Sequence, residues 1–135
     1  MLIAETQVRV RYAETDRMGY VYYGNYATYY EVGRVEALRK LGLSYREVED
    51  KGILLPVLSF TIKYIKPAFY DDLLTIKTTI PELPNTRITF QYECYNQNNE
   101  LLNKGETTLV FVNANTQKPC LAPEWFLTKI KPYYQ

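Results

Sequence analysis

Histidine is absent from the 135 residues. That gap removes histidine general bases, Ser-His-Asp and Cys-His nucleophile pairs, and the commonest metal ligand among side chains. Any catalysis must rest on a carboxylate, a tyrosine, a lysine or backbone dipoles. Cysteine is scarce: Cys94 and Cys120 are the only two, too few for a disulfide framework or a metal cluster. One disulfide between them stays open, and a reduced cytoplasmic protein is the simpler expectation. No apolar run approaches the roughly 18 residues that suggest a membrane span. The opening Met1-Leu2-Ile3-Ala4-Glu5 has neither the basic nor the apolar segment of a secretory signal. An excess of one charge is missing as well, since 16 basic and 15 acidic side chains leave +1, no footprint of a nucleic-acid binder. What remains is ordinary globular composition, 47% hydrophobic and 23% charged, read as one domain over residues 1–135.

Hydrophobic periodicity divides the chain. Gln7 to Tyr12 alternates apolar and basic residues with period two, which predicts a half-buried strand. Ala13 to Gly19 is polar and irregular and reads as a loop. From Gly24 to Leu41 there is no proline, and Tyr26, Tyr30, Gly33, Ala37 and Leu41 recur at helical spacing. This predicts a helix of about 18 residues, with Asn25 as N-cap and Gly42 as its stop. Ser44 with Glu47 forms a capping box for a short second helix that ends at Gly52.

Beyond Gly52 the period is that of strands. Leu58 to Tyr64, Leu74 to Ile80, Ile88 to Cys94 and Leu101 to Val112 alternate, with Gly105 as a candidate bulge. Short joins rich in Pro, Asn and Asp predict antiparallel neighbours, each with one wet and one dry face. The expected architecture is α+β: one long helix on the dry face of a five-stranded antiparallel sheet, with a short apolar helix around Trp125, Phe126 and Ile130 at the end. An open sheet has edges, and the strand around Val57 to Ile62 is the candidate interface with a second subunit.

The chemistry concentrates in Tyr12-Ala13-Glu14-Thr15-Asp16-Arg17-Met18-Gly19. A carboxylate there sits beside the N-terminus of the long helix, where free N–H groups point outward. Those donors stabilise an oxyanion on an acyl carbonyl while the carboxylate attacks the carbon or deprotonates a water. On residue type alone Asp16 also suits a turn or cap, Glu14 suits solvent, and Glu31 with Arg34 suits a surface ion pair.

The run Val10-Arg11-Tyr12-Ala13-Glu14-Thr15-Asp16-Arg17-Met18-Gly19-Tyr20-Val21-Tyr22-Tyr23-Gly24-Asn25-Tyr26 resembles the signature of hotdog-fold acyl-CoA thioesterases. The branch it resembles is the 4-hydroxybenzoyl-CoA thioesterase-like one, which includes the thioesterases associated with the Tol-Pal system. Tyr29 to Arg39, Leu55-Pro56-Val57, Tyr64-Ile65-Lys66-Pro67-Ala68 and Tyr70-Asp71-Asp72-Leu73 fit later blocks, so the likeness covers residues 5 to 123. It implies a long central helix wrapped by five antiparallel strands, hydrolysis of an acyl-CoA without metal or other cofactor, and a homodimer or tetramer with its site between subunits.

Residue by residue, the resemblance implies Asp16 as nucleophile or general base, and the Tyr23 N–H as the group that polarises the thioester carbonyl. Many bacterial relatives carry histidine where this chain has Tyr23; others carry tyrosine. Tyr20, Tyr22, Tyr26, Leu58 and Phe60 are candidates to line the acyl pocket, and Lys63, Lys66, Arg87 and Lys104 are the cations available to CoA phosphates. Another hotdog branch puts its carboxylate on the helix, where Glu31 and Glu36 lie, but the full loop motif favours Asp16. The rival reading is a non-catalytic acyl-CoA-binding module. Hydratase chemistry, which typically needs an acidic residue paired with histidine, ranks last.

Overall fold

The computed structural model describes residues 1–135. In chain order the elements are β1 (Leu2–Arg9), α1 (Asn25–Lys40), α2 (Tyr45–Asp50), β2 (Ile53–Leu54), β3 (Val57–Tyr64), β4 (Leu73–Ile80), β5 (Arg87–Tyr95), β6 (Leu101–Val110), β7 (Val112–Asn113), β8 (Lys118–Pro119) and α3 (Glu124–Ile130). Single 3₁₀ turns cover Tyr12–Glu14 and Lys131–Tyr133. The architecture is α+β. One antiparallel sheet has the order β1-β4-β5-β6-β3, and a small ribbon, β2-β7-β8, stands apart. None of its helices is long and apolar enough to cross a membrane.

Alternation locates the inner face of the central strands. Leu74, Ile76, Thr78 and Ile80 on β4, and Ile88, Phe90, Tyr92 and Cys94 on β5, are buried, while their neighbours in sequence are not. The helical stripe is buried as well: Tyr26, Tyr30, Gly33, Ala37 and Leu41 all face the sheet. Gly33 lets the helix approach closely, since a Cβ there would stand 2.5 Å from Thr78 Oγ1. The helix ends as predicted at Gly42, whose φ of +79° suits glycine. The Gly42 N–H donates to the Arg39 carbonyl and the Leu43 N–H to that of Leu38, a Schellman arrangement. Ser44 caps α2, its Oγ accepting the Glu47 N–H at 3.1 Å.

Several expectations need correction. The helix has 16 residues instead of 18, about 24 Å, and lies mainly over β1 and β4; it is not a long central helix. Gly24, not Asn25, is the N-cap, because the Asn25 side chain is spent on the Glu14 carbonyl, Nδ2 donating at 2.8 Å. The first strand runs earlier than predicted and stops at Arg9, since the Arg11 N–H finds the Glu14 carboxylate at 2.8 Å instead of a ladder partner. Gly105 is no bulge: it sits in regular register opposite Ile62 and Tyr92, and the irregularities fall at Val57/Ser59 and Cys94/Tyr95.

The larger correction concerns β3. It pairs with β6, not with β4, so the link from Ile65 to Asp72 crosses the end of the sheet instead of making a hairpin. Backbone bonds hold that crossing: Ile65 and Lys66 N–H donate to the Leu102 carbonyl, Val21 N–H to that of Ala68, and Asp71 N–H to that of Val10. As an edge strand away from the bulk of α1, β3 has no dry face in the single chain. Leu58 is 52% and Phe60 39% exposed.

Candidate active site

Two arms of backbone meet where β1 gives way to α1. The first is the loop after Arg9. Its turn Asp16–Tyr20 is closed by the Asp16 N–H donating to the Tyr20 carbonyl at 2.7 Å and by Gly19, at φ +82°, donating to the Asp16 carbonyl at 3.0 Å. Asp16 Oδ1 accepts the Met18 N–H at 2.9 Å and the Tyr20 N–H at 3.2 Å. Only one carboxylate oxygen is used, and Oδ2 takes no hydrogen bond from the chain. The aspartate is therefore both the turn former that residue type suggests and a carboxylate with a free oxygen.

The second arm is the approach to α1. The Tyr22 N–H is consumed by the Glu14 carbonyl at 2.9 Å, and the Asn25 N–H by the Tyr22 carbonyl. The Tyr23 N–H lies between them with no acceptor in the chain, at the positive end of the helix dipole. The Tyr23 ring is 64% exposed and leans on Tyr22, centroids 4.7 Å apart.

Asp16, Tyr20, Tyr23 and Tyr26 line one mostly apolar cleft of about 300 Å³, together with Met18 and Val21. Its far wall is the crossing segment Tyr64-Ile65-Lys66-Pro67. Tyr22, Leu58 and Phe60 lie outside it: Tyr22 turns over Gly24, and the other two sit on the β3 edge. Of this far wall the sequence singles out only Lys66, as a cation available to CoA phosphates, although all of Tyr64 to Pro67 belongs to one matching block. The missing information was the crossing itself, which puts residues 48 to 51 positions away beside Asp16.

A larger hollow of about 560 Å³ lies on the outer face of the sheet, among Lys63, Gln91, Glu93, Lys104 and Glu106. Its charges face one another across strands, with Lys77 Nζ 3.7 Å from Glu93 and Gln91 Nε2 donating to Glu106 at 3.4 Å. This is a solvated, mostly polar sheet face. The smaller cleft is the better candidate on chemistry, despite its size.

The environment explains which groups keep their protons. Burial, first of all, pushes the Tyr26 phenol up to about 12 and the Tyr29 phenol further still, so both remain neutral donors at any physiological pH. Burial likewise raises the Cys94 thiol to about 12. Cys94 and Cys120 are both free thiols, and Cys94 is an inert core residue. No group of three or more Cys, Asp or Glu is placed to hold a metal ion.

Glu14 departs from its expected place in solvent. Its side chain is only 12% exposed, and Oε1 accepts the Tyr29 hydroxyl at 2.9 Å. Burial pushes this carboxyl up, but the Arg11 N–H, the Tyr29 hydroxyl and the Arg11 guanidinium together outweigh it and hold the carboxyl below its ordinary value of 4.5. A lowered folded-state pKa stabilises the fold above the unfolded value and loses that effect as pH falls through the folded one. The melting temperature of wild type should exceed that of Glu14→Gln by a few degrees at pH 7, and the gap should close as pH drops below about 4.5. A gap that stays constant down to pH 2.5 would contradict this.

The expected Glu31–Arg34 pair does not form. Arg34 is turned into the core, 8% exposed, where Nε donates to the Tyr45 hydroxyl at 3.1 Å. Glu36 instead pairs with Arg39 at 3.3 Å. Neither Glu31 nor Glu36 lines the cleft.

Comparison with known proteins identifies the family. The profile of the Thioesterase-like superfamily matches residues 10–130. YneP of Bacillus subtilis is 35% identical over 129 residues, covering 93% of this chain and 94% of that protein. The acyl-CoA thioester hydrolase YbgC of Escherichia coli is 34% identical over 124 residues, covering 92% of each. The crystal structure of DHNA-CoA thioesterase from Staphylococcus aureus superposes with a TM-score of 0.89 at 36% identity, over 98% of this chain and 93% of that one. The chain belongs to the Thioesterase-like superfamily, as a hydrolase of the hotdog type.

Proposed function

We propose that the chain hydrolyses an acyl-CoA thioester to a free carboxylic acid and CoA, with Asp16 as the reacting carboxylate and the Tyr23 N–H as oxyanion donor. The observation that carries this reading is that Asp16, with its free Oδ2, and Tyr23, with its unpaired N–H, line one mostly apolar cleft. The thioester carbonyl oxygen accepts the Tyr23 N–H. Asp16 either attacks the carbonyl carbon or takes a proton from the water that does. The C–S bond breaks, the thiolate leaves as CoA and is protonated, and water supplies the carboxylate oxygen. A thioester carbonyl is more electrophilic than that of an oxygen ester and a thiolate leaves readily, so one carboxylate and one fixed dipole suffice where no histidine exists.

Tyr20 and Tyr26 form walls of the acyl site on this reading. The β3 edge, with Val57, Leu58 and Phe60 exposed, pairs with a second copy of the chain, so that the working unit is a dimer, alone or within a tetramer. The resemblance of the loop run Val10 to Tyr26 supports a reading of the chain as one of the 4-hydroxybenzoyl-CoA thioesterase-like, Tol-Pal-associated branch, acting in the cytoplasm. Thiol release from a panel of benzoyl-, 4-hydroxybenzoyl- and short- to long-chain aliphatic CoA thioesters tests the activity, alongside sedimentation for the dimer. Turnover of at least one of them is expected. No release from any thioester, with melting temperature still raised by acyl-CoA, would replace the enzyme by a binding module.

A further inference from the structure

The residue two positions before Asp16 makes more hydrogen bonds than any other near the cleft, and it does not line the cleft. Glu14 Oε1 accepts the Arg11 N–H at 2.8 Å and the Tyr29 hydroxyl at 2.9 Å. Oε2 accepts the Arg11 guanidinium through Nε at 3.3 Å and Nη2 at 3.1 Å. The Glu14 carbonyl accepts the Tyr22 N–H at 2.9 Å and Asn25 Nδ2 at 2.8 Å. Three of these donors, on Tyr22, Asn25 and Tyr29, belong to the stretch that enters and builds the first turns of α1. Tyr29 is itself locked in the core, 1% exposed.

We infer that Glu14 is a positioning residue for the hydrolysis proposed above: it fixes the Asp16 loop to the helix that presents the Tyr23 N–H. The inference rests on that reading of the cleft. Each half of the proposed site has its own tether to Glu14. The carboxylate ties the loop to Tyr29, one turn inside the helix. The carbonyl takes the Tyr22 N–H, which orients the backbone so that the next N–H, that of Tyr23, stays unpaired. A thioester carbonyl must lie within reach of both Asp16 and Tyr23, and a misplacement near 1 Å costs about a hundredfold in rate. A mostly buried carboxylate with charge-assisted bonds is a stiffer clamp than neutral turn bonds. A residue that merely closed a turn would not need the Tyr29 hydroxyl, and it is this side-chain tether, not the backbone bonds to Tyr22 and Asn25, that a substitution removes.

The test is a pair of double-mutant cycles read in kcat and KM for thiol release, under single-turnover conditions for the slow variants. Glu14→Ala should lower kcat about 30-fold and leave KM within about twofold, because the clamp acts on the reacting groups and not on binding. Tyr29→Phe removes one hydroxyl, and serves if Glu14→Ala does not fold; it should lower kcat about fivefold. In an Asp16→Asn background each of these losses should shrink below about twofold, because the group being positioned is already gone. Equal losses in both backgrounds would make Glu14 a structural residue only and overturn the inference. A large loss at Asp16→Asn with none at Glu14→Ala or Tyr29→Phe overturns the inference alone. An unchanged kcat in Asp16→Asn overturns the hydrolytic reading, and this inference with it.

Discussion

Thioester hydrolysis should fall at least about a hundredfold when Asp16 is replaced by asparagine, with the fold intact. The two bonds that shape the turn, from the Met18 and Tyr20 N–H groups, both end on Oδ1. An asparagine keeps a carbonyl oxygen there and accepts both. What it loses is the charge on the other oxygen, replaced by an amide that neither attacks a carbonyl nor accepts a proton. The substitution therefore separates the structural duty of residue 16 from its chemical one. The melting temperature should stay within about 2 °C of wild type, since surface-loop changes that keep their hydrogen bonds are worth a few tenths of a kcal/mol. Thiol release that survives the substitution, in a protein that melts normally, would remove Asp16 from the reaction.

The largest expected effect on stability lies elsewhere. Gly105→Ala should destabilise the fold by about 3 kcal/mol, which lowers the melting temperature on the order of 10 °C. A Cβ at Gly105 would stand 2.6 Å from the Thr61 carbonyl oxygen and 2.7 Å from the Tyr30 ring. Neither neighbour can give way. Thr61 belongs to the paired strand, and Tyr30 is buried, stacked on Tyr92 with centroids 4.3 Å apart and bonded through its hydroxyl to Asn103. Thermal and urea denaturation read the loss directly. A change under about 1 kcal/mol would mean that the Tyr30–Tyr92 stack is softer than its geometry implies.

These two residues also show where the sequence is legible and where it is not. The central strands declare themselves, because period-two alternation is a local signal and β4 and β5 are covered on one face. The helix does the same through Tyr26, Tyr30, Gly33, Ala37 and Leu41, and its end through Gly42. Alternation says which face of a strand is apolar but not whether anything in the same chain covers it, which is why β3 reads as half-buried and is exposed. Strand order was equally silent: a short join with proline and two aspartates looks like a hairpin, and only the bonds to Leu102, Val21 and Val10 reveal a crossing. Gly105 is a glycine because of Tyr30, a residue 75 positions away. The same distance effect hides the candidate site. Asp16 stands out by its motif, yet Glu14 looks like a solvent carboxylate until Tyr29 is folded against it, and Tyr64 to Pro67 join the cleft only through the crossing.

The central claim is that a thioester carbonyl sits between Asp16 and the Tyr23 N–H, and a crystal structure of the Asp16→Asn variant holding an acyl-CoA would test it most directly. The thioester carbonyl oxygen should lie about 2.7–3.2 Å from the Tyr23 nitrogen. Its carbonyl carbon should face the residue 16 side chain, with the acyl group against Tyr20 and Tyr26. An acyl-CoA seated instead in the outer hollow between Lys63 and Lys104, with the Tyr23 N–H still unpaired, would contradict it.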